Sequence, residues 1–455
     1  MPARLIDTLA TTGPLADLFA DDSLLQAMLD FEVALARAEA RLGIVPADAA
    51  DAIRAAAKAG NFDAAALARQ TLRGGTPGIP LAKALTAKVR AANAEAARWV
   101  HWGATSQDVA DTGLMLLLKR AQPILTADLS RLEAALERLS DQHRNTVMLG
   151  RTLLQAAPPV TFGLKAAGWL AAIRRSRLWL EDAFQDALIL QFGGASGTLA
   201  ALGEKGFEVG RAMAKELGLG FPDAPWHAHR DRLASLVAAC GVLTGTLGKM
   251  ARDISLLMQG EVGEAAEPES EGRGGSSTMP QKRNPIASAL TLAAANRVPG
   301  LVAAFLAGMV QEHERGVGGW QAEWPTVAGV IQSTGLAIAS MAEAAEGLEI
   351  DAEQMRANIE ATGGSVFAEK AAMLLAAKLG RDAALELVGE AARRSEEEGR
   401  TLKEVLGEIP EVARALGSRA LRDLETPEKY LGAAEELRKR LLVSEGRDNS
   451  KPRKR

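Results

Sequence analysis

Along this chain, long stretches in which apolar residues return every three or four positions alternate with short stretches in which that rhythm fails. The most regular rhythm runs from Leu233 to Leu257, where Leu233, Leu236, Cys240, Leu243, Leu247, Met250, Ile254 and Leu257 keep a 3,4 spacing over three heptads or more. This predicts a long bundle helix. Its Gly241, Gly245 and Gly248 each lower helicity by about 1 kcal/mol, a loss that close packing against a neighbouring helix would offset. Similar spacing at Leu129, Leu132, Leu136 and Leu139, from Phe162 to Leu180 and from Ile286 to Val310 predicts more such helices, each nearly 40 Å long for about 25 residues. Nearer the start, DSLLQAMLDFEVALARAEARLG predicts a helix capped at Asp22 and stopped at Gly43, with Pro46 in the first turn of the next. The cluster Gly74-Gly75-Thr76-Pro77-Gly78-Ile79-Pro80 breaks the pattern and is read as a loop. Past about residue 350 the predicted helices shorten, and the polar tail Arg447–Arg455 is expected to be disordered, a solubilising end or, alternatively, a nucleic-acid contact.

Composition narrows the fold class. Aromatic residues are 4% of the chain against 47% apolar, and alanine and leucine predominate, which favours helices over strands. The expectation is all-α. At 455 residues the chain exceeds one compact core and suggests about three domains of roughly 150 residues. These are placed at 1–112 (N-terminal helical domain), 113–350 (long-helix bundle) and 351–446 (C-terminal helical domain), with the tail after them. Bundle helices with apolar stripes on more than one face point to a homo-oligomer.

Charge and cysteine usage exclude several functions. Lys plus Arg number 53 against 57 Asp plus Glu, a net −4, so no global positive field argues for nucleic acid or a membrane surface. An anionic ligand would need a local basic cluster. The single cysteine, Cys240, rules out an intrachain disulfide framework and cysteine-based zinc sites, and its place on the heptad stripe favours packing over reactivity. Of five histidines only His227 and His229 are closely spaced, without a nearby third ligand. No metal is expected, and this pair is read as capping the helix beginning near Arg230 or bordering a site. With no secretory pattern and no run of 18 uninterrupted apolar residues, the expected location is cytoplasmic, without a membrane.

Three segments interrupt the helical rhythm with polar residues: HWGATSQDVADT at 101–112, GRTLLQAAPPVTFG at 150–163, and GRGGSSTMPQKRNP at 272–285. In the third, Gly274 and Gly275 permit close backbone approach, while Ser276, Ser277, Lys282, Arg283 and Asn284 supply hydroxyls, cations and an amide. Asn284-Pro285 reads as an N-cap and first-turn proline, setting the loop against a helix N-terminus whose free N–H groups favour an anion. The spacing is not that of a phosphate loop, and neither a GxSxG elbow nor a sequence-adjacent His–Asp partner supports a hydrolase triad. Proton abstraction beside a carboxylate fits these residue types better than acyl transfer does.

GSSTMPQKRNP resembles the GSSxMPxKxNP signature of the fumarase/aspartase superfamily, and GATSQDVADT and GRTLLQ are similar to its two other characteristic segments, in the same order. The resemblance spans nearly the whole chain. It implies a three-domain all-α subunit, a homotetramer built round a long-helix bundle, active sites shared among three subunits, and no metal or organic cofactor. It implies that Ser276 exchanges a proton α to a carboxylate, and that Lys282 and Asn284 hold the charge of an aci-carboxylate intermediate. Thr105, Ser106, Thr152 and Gln155 would bind a small polycarboxylate substrate, with His101, Ser277 and Met279 lining the site. Arg315 would add a cation; from its residue type alone it could equally be a helix-end salt-bridge partner, and His143 and His313 could be surface or capping residues.

The second segment departs from the superfamily's THxQ, because Leu153 follows Thr152 where a histidine usually assists the leaving group. Amine or hydroxide leaving groups, with conjugate acids near or above pKa 10, need that help; a carboxylate, near 4, does not. Leu153 is therefore compatible with the branch that cyclises 3-carboxy-cis,cis-muconate, although tryptophan is usual there. LLQAMLDFEVALARAEA, GLKAAGW and GGWQAEW also resemble that branch. Two alternatives remain open: elimination of a good leaving group such as nitrite from a substituted succinate, and a non-catalytic structural relative.

Overall fold

A computed structural model of the chain describes residues 5–269, 274–275, 279 and 282–443. The helices and strands that matter for the site are, in order, α1 (Asp21–Arg41), α2 (Gly78–Ala92), α3 (Ser106–Gln142), β1 (Val147–Thr152), β2 (Gln155–Thr161), α4 (Phe162–Ala187), α5 (Asp231–Leu257), β3 (Ala265–Ala266), α6 (Ile286–Ala307), α7 (Gly319–Glu346) and β4 (Glu349–Ile350). The all-α expectation holds, with two small antiparallel pairs, β1 with β2 and β3 with β4. After residue 350 the helices are indeed shorter, from 7 residues at Leu402–Glu408 to 18 at Arg381–Glu398. The tail Arg447–Arg455 lies outside the described residues.

The chain forms two compact units. The first comprises the described parts of Met1–Ser130, Ser176–Gly248 and Leu290–Ser340, and the second those of Arg131–Arg175, Lys249–Ala289 and Met341–Arg455. The boundaries therefore fall within α3, α4, α5, α6 and α7. In the first unit, Leu25, Met28, Leu29, Phe31 and Leu35 of α1 share a core with Leu81, Leu85 and Val89 of α2. The 3.6-residue period that places these side chains on one face explains the amphipathic pattern. In the second, Leu375, Val388, Leu402, Val405 and Leu406 form one core cluster, and Val147, Leu149, Ile359 and Phe367 another.

The glycines of α5 behave as expected at two positions of three. A Cβ on Gly248 would lie 2.7 Å from the Ala295 Cβ, and one on Gly241 would lie 3.0 Å from Val302; Gly245 has no such neighbour. Cys240 is fully buried, and burial pushes its thiol up to about 12, consistent with a packing role.

Several local boundaries differ from the expectations. Gly78, Ile79 and Pro80 belong to the first turn of α2, so the loop there shrinks to Gly75–Pro77. Proline is tolerated at that point because a first-turn N–H has no intrahelical acceptor. The polar segment 101–112 is non-helical only to Thr105; from Ser106 it is the start of a 37-residue helix. Segment 150–163 is mostly hairpin, β1 and β2, and only its last two residues enter α4. Pro46 is an N-cap and not a first-turn residue, and α1 begins at Asp21.

By length and composition α5, α6 and α7 could each cross a membrane. The apolar windows of α5 and α7 are mostly buried within the chain, whereas that of α6 is only 22% buried.

Candidate active site

In the first unit the site is built at the N-terminus of α3. The Thr105 backbone N–H donates to Asp108 Oδ2 at 3.0 Å, the geometry in which a third-position acid closes a helix start. Asp108 is fully buried and receives three further donors: Gly194 N at 2.9 Å on Oδ2, and Gly193 N at 3.1 Å and His227 Nε2 at 2.7 Å on Oδ1. One carboxylate thus ties the helix start to the Gly193–Gly194 loop and to His227. Onto that platform folds Arg315, whose Nη1 donates to Thr105 Oγ1 at 2.9 Å and whose Nη2 donates to the Ala195 carbonyl at 3.0 Å. Its Nε–H is buried with no hydrogen-bond partner among the described residues. Among the described residues Arg315 is therefore not a helix-end salt-bridge partner; it sits on a predicted substrate-binding threonine.

His101 enters the same region in a left-handed conformation, φ 60°, uncommon for a non-glycine residue. Its Nδ1 lies 2.6 Å from Oε1 of the buried Glu32. Ser106 packs against Gly78, where a Cβ would come within 2.6 Å of the Ser106 carbonyl oxygen, so only glycine allows α2 this approach. The structure thus assembles His101, Thr105, Ser106 and Arg315 in one unit.

One turn along α3, Asp111 receives Arg230 through two hydrogen bonds of 2.8 and 3.0 Å, and Trp320 Nε1 at 2.8 Å. Arg230 also bonds Glu323. Burial pushes the Asp111 carboxyl upward, but the charge and hydrogen bonds of Arg230 outweigh it and hold Asp111 below its ordinary value; in Glu323 burial prevails and raises it. Asp111 is thus the firmly ionised partner of this buried cation.

In the second unit, Thr152 and Gln155 face each other across the two-residue turn joining β1 to β2. Leu153 and Leu154, the turn residues, have φ of 51° and 65°, and Leu153 is 97% exposed. Such turns favour Asn-Gly because both central residues require positive φ. Arg151, just below, is anchored by two hydrogen bonds to Glu264.

Ser276 and Ser277 lie outside the described residues. Around them, Asn284 donates from both its backbone N, at 3.0 Å, and Nδ2, at 3.1 Å, to the Gly274 carbonyl, which brings the two ends of the signature segment together. Met279 and Lys282 are exposed, and Lys282 N donates to Met279 O. No hydrogen bond joins Thr152 or Gln155 to Lys282 or Asn284 among the described residues.

The expected anion site at the start of α6 needs correction. Asn284 does not cap the helix, since its amide is turned to Gly274 and Pro285 precedes the first helical residue, Ile286. The helix-start N–H groups of Ala287 and Ser288 already donate to the Glu267 carboxylate, at 2.9 and 2.8 Å. The chain's own acid occupies the position an external anion would take.

Asp108, Glu32 and Glu267 escaped the sequence reading. Thr105-x-x-Asp108 is a capping pattern that could have exposed the first; the others are joined to their partners only by the fold. His227 borders the site through Asp108, and no group of three or more His, Cys, Asp or Glu able to hold a metal occurs among the described residues.

Comparisons with known proteins agree with this architecture. Residues 9–300 match the Lyase family, and residues 364–441 match the family described as adenylosuccinate lyase C-terminus. A 3-carboxy-cis,cis-muconate cycloisomerase from Bradyrhizobium diazoefficiens is 50% identical, over 94% of this chain and 95% of its own. A nitrosuccinate lyase from Streptomyces davaonensis is 42% identical, over 94% and 92%. The crystal structure of the 3-carboxy-cis,cis-muconate lactonizing enzyme from Pseudomonas putida superimposes with a TM-score of 0.91 at 45% identity, covering 97% of this chain and 98% of that one.

Proposed function

Since the chain belongs to the lyase family of the fumarase/aspartase superfamily, we propose that it interconverts 3-carboxy-cis,cis-muconate and 4-carboxymuconolactone in protocatechuate (β-ketoadipate) catabolism. The observation that carries this reading is Leu153 at the hairpin tip, an apolar residue where an acid would serve a poor leaving group. A carboxylate, with pKa near 4, departs or attacks without one.

In the lactonising direction a substrate carboxylate oxygen bonds to the conjugated carbon, and the double-bond electrons move onto the neighbouring carboxylate as an aci-carboxylate. The Ser276 hydroxyl gives its proton to the α carbon, and the alkoxide left behind regains one from solvent. Lys282 and the loop N–H groups stabilise the charge, while Asn284 holds the loop ends together. Arg315, Thr105, Ser106 and His101 bind carboxylates at one side; Thr152 and Gln155 bind them from the hairpin, and Ser277 and Met279 line the loop side. No metal or organic cofactor takes part.

The working form in this reading is a cytoplasmic homotetramer whose sites draw segments from three copies, and the sparsely covered α6 supports an interface between copies. Within each copy, 1–112, 113–350 and 351–446 act as entry domain, bundle and terminal domain. The decisive test is loss of the muconate absorbance on adding enzyme. No loss, with turnover of adenylosuccinate or another succinyl compound, overturns it.

The similarity to a nitrosuccinate lyase favours one second reading: elimination of a leaving group such as nitrite, which also departs unprotonated, from a substituted succinate to give fumarate. Fumarate release from a panel of substituted succinates selects that reading. A Ser276→Ala chain is expected to lose at least a thousandfold in turnover; unchanged turnover removes Ser276 as the proton carrier.

A further inference from the structure

His101, a proposed substrate contact, has a buried carboxylate behind its imidazole. Its backbone is held at φ 60°, its side chain is 20% exposed, and its Nδ1 lies 2.6 Å from Glu32, which is 1% exposed. No hydrogen bond engages Nε2 among the described residues. The second oxygen of Glu32 is buried without a hydrogen-bond partner among the described residues, which leaves His101 as the partner of that carboxylate there.

We propose that Glu32 is a positioning residue that holds His101 as a fixed imidazolium, Nδ1–H toward Glu32 and Nε2–H toward a substrate carboxylate. The proposal rests on the polycarboxylate reading above for the substrate, though not for the ion pair itself.

Three groups set the balance. Burial alone lowers the imidazole, but the charge and hydrogen bond of Glu32, with a further contribution from Asp108 on α3, raise it above its ordinary value. Glu39, on the same helix as Glu32 and fully buried, is pushed up to about 9 by burial and then by the charge of Glu32. It is therefore neutral at physiological pH. Asp108 is committed to four donors of its own, so it adds field without competing for the imidazole. A buried carboxylate is costly unless it is paired and hydrogen-bonded, and His101 is the partner the fold provides for Glu32.

The test is histidine NMR on the full chain without substrate, using isotope-labelled imidazoles. The His101 signal is identified as the one missing from His101→Gln, a tractable assignment among five histidines. The expected His101 midpoint in the unaltered chain lies above the ordinary value of about 6.5. In Glu32→Gln it falls by at least one pH unit, and with carboxymuconate as substrate KM rises at least tenfold while kcat changes less than threefold. A midpoint at or below about 6.5 in the unaltered chain overturns the proposal, and that measurement stands even if Glu32→Gln fails to fold. An unmoved midpoint in a folded Glu32→Gln overturns it too. If the substrate reading alone is wrong, the titration results stand and only the KM change is absent.

Discussion

At the scale of single residues, buried carboxylates do opposite work in neighbouring places. Asp108 is satisfied by four donors, and an amide at that position would turn an N–H₂ toward at least one of them. Asp108→Asn is expected to cost about 2–4 kcal/mol in stability and to raise KM at least tenfold by loosening the Thr105 and Arg315 platform, as read by denaturant unfolding and steady-state kinetics. Glu39 has no hydrogen-bond partner for either oxygen among the described residues and is neutral up to about pH 9. Its folded form retains a proton that the unfolded chain releases above about pH 4.5. Stability therefore declines as pH rises between those values, by up to about 1.4 kcal/mol per unit. Glu39→Met removes this dependence: its denaturation midpoint should exceed that of the unaltered chain at pH 8 by more than at pH 5.5. An equal difference at both values contradicts the assignment.

At the scale of elements, the β1–β2 hairpin turns on residue types that the turn does not favour. Two leucines at positive φ cost on the order of 1–3 kcal/mol each, and their exposure gives nothing back within the chain. Replacing Leu153-Leu154 by Asn-Gly suits the turn. The expected result is an unfolding temperature that does not fall, combined with at least a tenfold loss of turnover. Leu153→His should lower lactone formation and confer measurable elimination from succinates with amine leaving groups, assayed as fumarate. In α5, Gly248→Leu would push side-chain atoms into Ala295, with an expected loss of about 1–3 kcal/mol.

At the scale of the whole molecule, the mild net charge of −4 supplies no general field for a highly anionic substrate, so in the proposed reading a few placed cations, Arg315 and Lys282 foremost, hold it. The apolar α6 belongs to the same scale, since only 22% of its apolar window is buried among the described residues. Leu306, nearly half exposed on that helix, is the place to test this. Leu306→Glu is expected to shift the sedimenting species below four copies and to reduce turnover per chain. A single copy with full turnover would refute the shared site.

What the sequence by itself determined is what rests on local periodicity and chemical type. The 3,4 stripe yields α5 to within two residues, the scarcity of aromatic residues yields a predominantly helical architecture, and the signature segments point to the superfamily. What only the tertiary structure decided are pairings between residues far apart in the chain: His227 with Asp108, Glu32 with His101, Arg230 between Asp111 and Glu323, and Glu267 on the start of α6. Asn284-Pro285 shows why. A residue type suited to capping a helix caps it only if no better partner is near, and Gly274 and Glu267 are brought there by folding. Periodicity is a property of a segment, and a hydrogen-bond partner is a property of position in space.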